Sequence, residues 1–324
     1  MEALLQIKDL KVCFPHQLTA LNNVHLTIEK AMRVGVVGES GAGKSMLAYS
    51  ILDLISEPGW IESGQIWFDG CDLTTLNFEQ MRKIRGNRIA MIFQDPMVTL
   101  NPVLSIGDQM VELLINHQNI TFEQAKEKAI ETLRQVLIPL PERRFDSYPH
   151  ELSGGLRQRV VIAIALLCEP ELIIADEPTT ALDVTIQAEI MSLLLKLCQQ
   201  RQMSLMLITH DLAVVAEVTT HIVVMYGGHI VEQGLTSELI KNPSHPYTKG
   251  LIEALPKRAD HTTKRLNQIP GMMPSLDQIP RGCVFHPRCY LVKERCQRER
   301  PQLMPLEKKR YSTRNVACFF PIGG

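Results

Sequence analysis

The sequence predicts an α/β fold, on three observations. An apolar run, Arg33–Val37, ends in a glycine-rich turn and passes into a helical pattern, Met46–Leu54. A second short apolar run, Leu172–Ala175, ends in two acids and a proline, Asp176-Glu177-Pro178. A third, Leu205–Thr209, stops at His210-Asp211. Alternation of strand, loop and helix builds a parallel sheet, and short continuous apolar runs are its buried strands.

The remaining elements follow in chain order. Leu4–Leu10 and Leu18–Ile28 are apolar and β-branched runs, and Gly64–Phe68 followed by Asp69-Gly70 is a hairpin strand. Together they predict an antiparallel β-subdomain. From Pro102 to Leu167 the texture is mostly helical, including Phe122–Val136 with charge on one face, so a helical subdomain is expected over about 96–170. His221–Met225 and His229–Glu232, joined through Gly227-Gly228, make a second hairpin. After Pro256 the chain turns loop-rich, with Pro270, Pro274, Pro280, Pro287 and Pro301 and clustered cysteines. The expected division is 1–255 for the main domain and 256–324 for a small C-terminal extension, without internal repeats.

Composition narrows the function classes. Hydrophobic residues make up 45% of the 324, enough for a sizeable core. The formal net charge is −1, a balance that gives no electrostatic reason to expect a nucleic-acid partner, since binding along a phosphate backbone calls for a basic stripe. The N-terminus lacks the cationic start and long apolar run of a secretion signal. The longest apolar stretch, Val160–Cys168, is about half of the roughly 20 residues a spanning helix needs. A cytosolic protein is therefore expected. In that compartment the eight cysteines should be mostly reduced, with Cys13, Cys71, Cys168 and Cys198 reading mainly as small core residues.

The chemistry is concentrated in two places. Gly38-Glu39-Ser40-Gly41-Ala42-Gly43-Lys44-Ser45 has the P-loop pattern GxxxxGK[ST], set between a strand and a helix. Its glycines let successive N–H groups face a phosphate, and the following helix adds its positive end. Lys44 reaches the β- and γ-phosphates, and the Ser45 hydroxyl goes to Mg²⁺. At the carboxyl end of the second apolar run, where α/β sheets bind ligands, Asp176 is the expected Mg²⁺ ligand through water. Glu177 is then free to polarise the attacking water as general base.

Around these stand Leu152-Ser153-Gly154-Gly155-Leu156-Arg157-Gln158-Arg159, Gln94 within Ile92–Pro96, Ala181-Leu182-Asp183, and His210. In this order the set resembles the signature, Q-loop, D-loop and switch histidine of ABC nucleotide-binding domains, over residues 1 to about 255. The resemblance implies a RecA-like core with an antiparallel β-subdomain and an α-helical subdomain. It also implies ATP and Mg²⁺ as ligands, with Gln94 contributing to the metal. Ser153, Gly154 and Gly155, at the start of a helical run, would meet the γ-phosphate held by a second cassette, Asp183 of the D-loop would belong to the nucleotide-binding set, and His210 would sense the γ-phosphate. Phe14 is the best match to the family's adenine-stacking aromatic. The chain departs from the pattern at Lys30–Arg33, which lacks the usual glycine, and at Leu156, where Gln or Met is common. Neither position touches the chemistry.

Asn242–Thr248, Ile269–Pro274 and Gly282-Cys283, with the loop variant Val37-Gly38-Glu39-Ser40 and Asp176–Val184, resemble the ATPases of dipeptide and oligopeptide permeases. The resemblance implies an importer subunit at the cytoplasmic face of the membrane. Its expected partners are a second ABC ATPase in a heterodimer, two transmembrane permease subunits and an extracytoplasmic substrate-binding protein. Nickel or haem are alternative cargoes, and a soluble ABC ATPase of translation or repair is the alternative class. The resemblance further implies a [4Fe–4S] cluster on Cys283, Cys289, Cys296 and Cys318. Four thiolates are also a structural zinc set, although the usual close cysteine pairs are absent, and reduced cysteines binding nothing are the third possibility.

Overall fold

The computed structural model describes residues 2–180, 182–255, 268–306 and 314–323. Ala181 of the expected D-loop and the expected boundary at 256 lie outside them. The chain divides into two compact units. One holds residues 2–29, 33–74 and the described part of 207–324; the other holds 30–32 and 75–206. They are called the loop unit and the helical unit here.

The loop unit opens with β1 (Ala3–Phe14), β2 (Leu18–Glu29), β3 (Arg33–Val37), α1 (Lys44–Ile51), β4 (Trp60–Phe68) and β5 (Cys71–Asp72). Antiparallel pairing joins four of these strands in the order β2-β1-β4-β5, the predicted β-subdomain. Leu5, Ile7, Leu10 and Val12 of β1 are buried and face Ile28, Leu26, Val24 and Leu21 of β2. Asp69-Gly70 makes the turn to β5, both residues in the left-handed region that such two-residue hairpins require.

The helical unit carries α2 (Phe78–Ile84), β6 (Ile89–Ile92), α3 (Pro96–Thr99), α4 (Ile106–His117), α5 (Phe122–Gln135), α6 (Pro141–Phe145), α7 (Gly154–Leu166), β7 (Leu172–Asp176) and α8 (Val184–Gln200). Side chains cap most of these helices. Ser105, Thr121 and Asp183 each accept the backbone N–H at the third helical position, which satisfies donors a helix start leaves open. Strands β6 and β7 pair in parallel, Ile92 beside Ala175, and every residue of β7 is buried.

Strand β8 (Ser204–Ile208) begins in this unit, and the chain continues in the loop unit with α9 (Leu212–Val218), β9 (His221–Tyr226), β10 (His229–Leu235), α10 (Thr236–Lys241), α11 (Pro246–Glu253), α12 (Glu294–Arg298), β11 (Met304–Pro305) and β12 (Asn315–Val316). In the loop unit β3 pairs in parallel with β9, while β9-β10, β10-β12 and β12-β11 are antiparallel. The result is a mixed sheet. One buried cluster joins Val37 of β3, Val224 and Tyr226 of β9, and Tyr247 of α11 to Cys283, Val284, Phe285 and Cys296. The loop-rich C-terminal region thus shares the core of the strand that leads into the P-loop. Its anchor is Glu232 of β10, fully buried, whose carboxylate accepts the N–H groups of Ser244 and His245 and pairs with Arg314. No helix among the described residues is long and apolar enough to cross a membrane.

Candidate functional site

The P-loop follows β3 in the loop unit. Gly38 passes so close to β9 that a Cβ there would lie 2.3 Å from the carbonyl oxygen of Met225. Gly43, at φ 100°, would put a Cβ 3.0 Å from Leu21 and 3.2 Å from the Ala20 carbonyl. Only glycine combines that left-handed turn with that approach. The loop is pinned by Ala42 N–H to Glu39 O (3.2 Å) and by Gly228 N–H to Ala42 O (3.0 Å). Helix α1 starts at Lys44 with no side-chain cap, leaving N-terminal amides to meet an anion. Lys44 is buried, and its ammonium donates to the carbonyls of Gly38 (2.8 Å) and Glu39 (3.0 Å). Ser40 and Gly41 are exposed at the loop's crest, and Ser45 is half-buried.

His210 lies in the same unit. Thr209 N–H donates to Val36 O (3.2 Å), tying the segment to β3. Asp211 caps α9 by accepting Ala213 N–H and Val214 N–H. His210 is thereby presented, exposed, between a strand end and a capped helix. The ring of Phe14, at the end of β1, packs over Gly59, where a Cβ would come within 2.7 Å of it.

The helical unit holds the other half of the predicted set. Asp176 ends β7 buried. Glu177 takes φ 45°, a left-handed conformation uncommon for a residue with a side chain and found at functional turns. Its carboxylate accepts from Gln94 Nε2 (3.3 Å) and from the hydroxyl of Thr180 (2.8 Å). Gln94 and Glu177, far apart in sequence, are brought together here, with Thr180 as a third member that the sequence reading passed over. Asp183 accepts Ile186 N–H (3.0 Å) and so starts α8. Ser153 stands at the N-cap of α7 without a capping bond, and Ser153 and Gly154 are exposed. Gly155 packs against Ile186, where a Cβ would lie 3.1 Å from that side chain. The start of α7 is thus an outward-facing helix end whose serine hydroxyl makes no cap.

The four C-terminal cysteines lie in the loop unit. Cys283 and Cys296 are buried, Cys289 and Cys318 half-buried, and none forms a disulfide. Burial first, and then the charges of the other three thiols, push Cys318 up to about 11. Cys318 is therefore protonated at neutral pH, and burial also raises Cys283 and Cys289. Among the described residues no group of three or more His, Cys, Asp or Glu stands where it could hold a metal ion. The donor chemistry suits a thiolate-bound group, and Cys283 and Cys296 sit in the apolar core without a disulfide.

The residues the sequence reading missed are those that hold the P-loop from outside. Tyr247 Oη accepts Glu39 N–H (2.8 Å), and Arg288 forms a two-pronged ion pair with the Glu39 carboxylate. A glutamate inside a phosphate-binding loop was the available signal, because such a charge needs a partner.

Residues 21–180 match the family described as ABC transporter, and residues 231–296 match the family described as oligopeptide/dipeptide transporter, C-terminal region. The chain is 45% identical to the dipeptide transport ATP-binding protein DppD of Haemophilus influenzae, covering 99% of this chain and 96% of that protein. It is also 45% identical to the oligopeptide transport ATP-binding protein AppD of Bacillus subtilis, covering 98% and 97%. Among solved structures, the ATP-binding cassette MJ0796 in a dimeric post-hydrolysis state bound to ADP and Pi is similar at TM-score 0.64 and 29% identity, over 72% of this chain and 98% of that one. The cbiO1 protein of Clostridium perfringens, part of the ABC transporter complex cbiONQ, is similar at TM-score 0.66 and 26% identity, over 74% and 92%.

Proposed function

We propose that this chain, which belongs to the ABC transporter family and to its oligopeptide/dipeptide branch, is the ATP-hydrolysing subunit that energises import of dipeptides or oligopeptides. The observation that carries the reading is the pair of carboxylates closing β7, with Asp176 buried and Glu177 held by Gln94 and Thr180. A carboxylate oriented by two donors, in reach of a water, is what a general base in ATP hydrolysis needs.

We infer the residue roles from the family resemblance, with the geometry in each unit as support. The amides of Ser40–Ser45 and the start of α1 take up the phosphates, and the Lys44 ammonium moves from loop carbonyls to phosphate oxygens. Mg²⁺, when bound, neutralises phosphate charge; Ser45, Gln94 and Asp176 are the residues that would hold it. Glu177 accepts a proton from the attacking water, and His210 contacts the γ-phosphate. Phe14 stacks on adenine. Ser153, Gly154 and Gly155 are exposed or at an exposed helix start, which suits completion of a second subunit's site, with Asp183 among the nucleotide-binding residues. The solved MJ0796 cassette is dimeric, which supports the same arrangement. We infer a heterodimer with a sister ATPase, docked on two permease subunits at the cytoplasmic face of the membrane and served by a substrate-binding protein. The division into 1–255 and 256–324 is part of this proposal.

For the tail, the four thiols form a soft-donor set that fits a [4Fe–4S] cluster in chemistry, with zinc as the competitor. Such a group would cross-link Cys283, Cys289, Cys296 and Cys318 once they are deprotonated. Iron and zinc analysis of anaerobically purified protein tests it, and absence of both metals ends the proposal. The main reading is tested in the transporter captured from gently solubilised membranes. Two permease subunits, a second ATPase and peptide-stimulated hydrolysis are expected. Glu177→Gln should lower turnover about 10²–10⁴-fold with ATP still bound. Equal rates for variant and wild type would remove Glu177 as the base.

A further inference from the structure

We infer that Arg288 of the C-terminal region is a positioning residue for nucleotide binding, acting through Glu39 of the phosphate loop. The inference rests on the reading of residues 38–45 as that loop.

Arg288 Nη1 lies 2.6 Å from Glu39 Oε2, and Nη2 lies 3.0 Å from Oε1. The guanidinium is nearly buried, with the arginine side chain 5% exposed against 31% for Glu39. Its remaining donors are also engaged, Nε with Pro270 O (2.8 Å), Nη2 with Ile269 O (3.3 Å) and Nη1 with Tyr226 Oη (3.4 Å). All five N–H groups of an arginine thus have acceptors, so the fork is fixed in direction. Glu39 in turn is gripped at every polar point. Its N–H donates to Tyr247 Oη, its carbonyl accepts from Lys44 and Ala42, and its carboxylate is taken by Arg288. The segment before Arg288 runs beside the loop as well, Met273 lying 3.9 Å from where a Cβ on Gly41 would stand.

Two consequences follow for the loop. One of the two carbonyls that hold the Lys44 ammonium belongs to the residue whose other end Arg288 holds. A glutamate on a phosphate-binding loop also repels the polyphosphate unless its charge is matched, and Arg288 is the matching charge. A bidentate arginine both neutralises the carboxylate and sets its position, which lysine cannot do in full.

A mere staple between tail and loop predicts differently from a charge-matching role, and a pair of variants in the full-length chain separates them. Arg288→Gln leaves the Glu39 carboxylate unmatched, and the Kd for ATP, measured by titration of a fluorescent ATP analogue, should rise about tenfold. Glu39→Gln/Arg288→Gln removes the repelling charge without restoring the ion pair. Its Kd should return to within about threefold of wild type, while its melting temperature stays as low as that of Arg288→Gln. If Arg288→Gln fails to fold, Arg288→Lys keeps the charge and should hold the Kd within the same range. Wild-type affinity in folded Arg288→Gln, or a double variant as weak as the single one, would overturn the inference. Absence of ATP binding by the wild-type chain would instead overturn the phosphate-loop reading beneath it.

Discussion

Replacing Glu232 by glutamine should destabilise the protein far more than its isosteric shape suggests. The Glu232 side chain is fully buried, with Ser244 N–H and Arg314 Nη2 on Oε1 and His245 N–H on Oε2, each at 2.9 Å. A glutamine can keep Oε1, but its NH₂ must then face the His245 N–H, donor against donor. One orphaned buried amide costs about 1–3 kcal/mol. Arg314, 12% exposed, also loses the charge of this carboxylate, and breaking a buried pair in this way costs about 3–5 kcal/mol. Its remaining bonds to the Asn242 carbonyl and the Ser244 hydroxyl place the total near the lower end, about 4 kcal/mol. At about 2–4 °C per kcal/mol for a domain of this size, the melting temperature should fall by about 8–16 °C. Differential scanning fluorimetry at pH 7, with circular dichroism to confirm the fold, is the assay. Arg314→Met leaves the fully buried carboxylate without its cation and should cost a comparable amount, although both amides remain on it. A shift below about 2 °C for Glu232→Gln, or strict additivity in the double variant, would refute the reasoning.

Three further outcomes are expected. Thr180→Val removes the 2.8 Å bond to Glu177; turnover of the assembled transporter should drop about tenfold with ATP affinity unchanged, since only the base loses its orientation. Gly107→Ala would drive a Cβ to within 2.3 Å of the Phe145 ring, and thermal denaturation should show a loss of about 1–3 kcal/mol from overpacking. Stability should also fall on mild acidification. Burial holds His229 down to about 4 and His245 to about 3, both below the unfolded value. The Nδ1 of His229 donates to Gly227 O and its Nε2 accepts from Arg300, which requires the neutral ring. The stabilisation is therefore complete above about pH 6.5 and is lost as pH drops towards 4. Melting curves between pH 7.5 and 4 check this, and His229→Gln should flatten the profile.

Much of the site was legible before any coordinates. The P-loop, the acids closing β7, the serine and glycines at the start of α7 and His210 are each local patterns, because a phosphate cradle or a strand end with two carboxylates is built from contiguous residues. Boundaries were less so. The helix expected from Met46 starts at Lys44, since the loop itself supplies the first turn, and the strand expected from Gly64 begins at Trp60, where β1 offers a partner. The bonds from Gln94 and Thr180 to Glu177 depend on a backbone turn with positive φ that no spacing rule announces.

The sequence alone thus determined the fold class, the ATP chemistry and the family, since those rest on residue types at short, fixed separations. Only the tertiary structure decided what holds the loop. Glu39 meets Arg288, Tyr247 meets the Glu39 amide, and Glu232 meets Arg314 across long stretches of chain. Such charge and hydrogen-bond partners are selected by burial, where an unmatched polar group is costly and any segment that can reach it will serve. A pattern read along the chain carries no record of which segment does so.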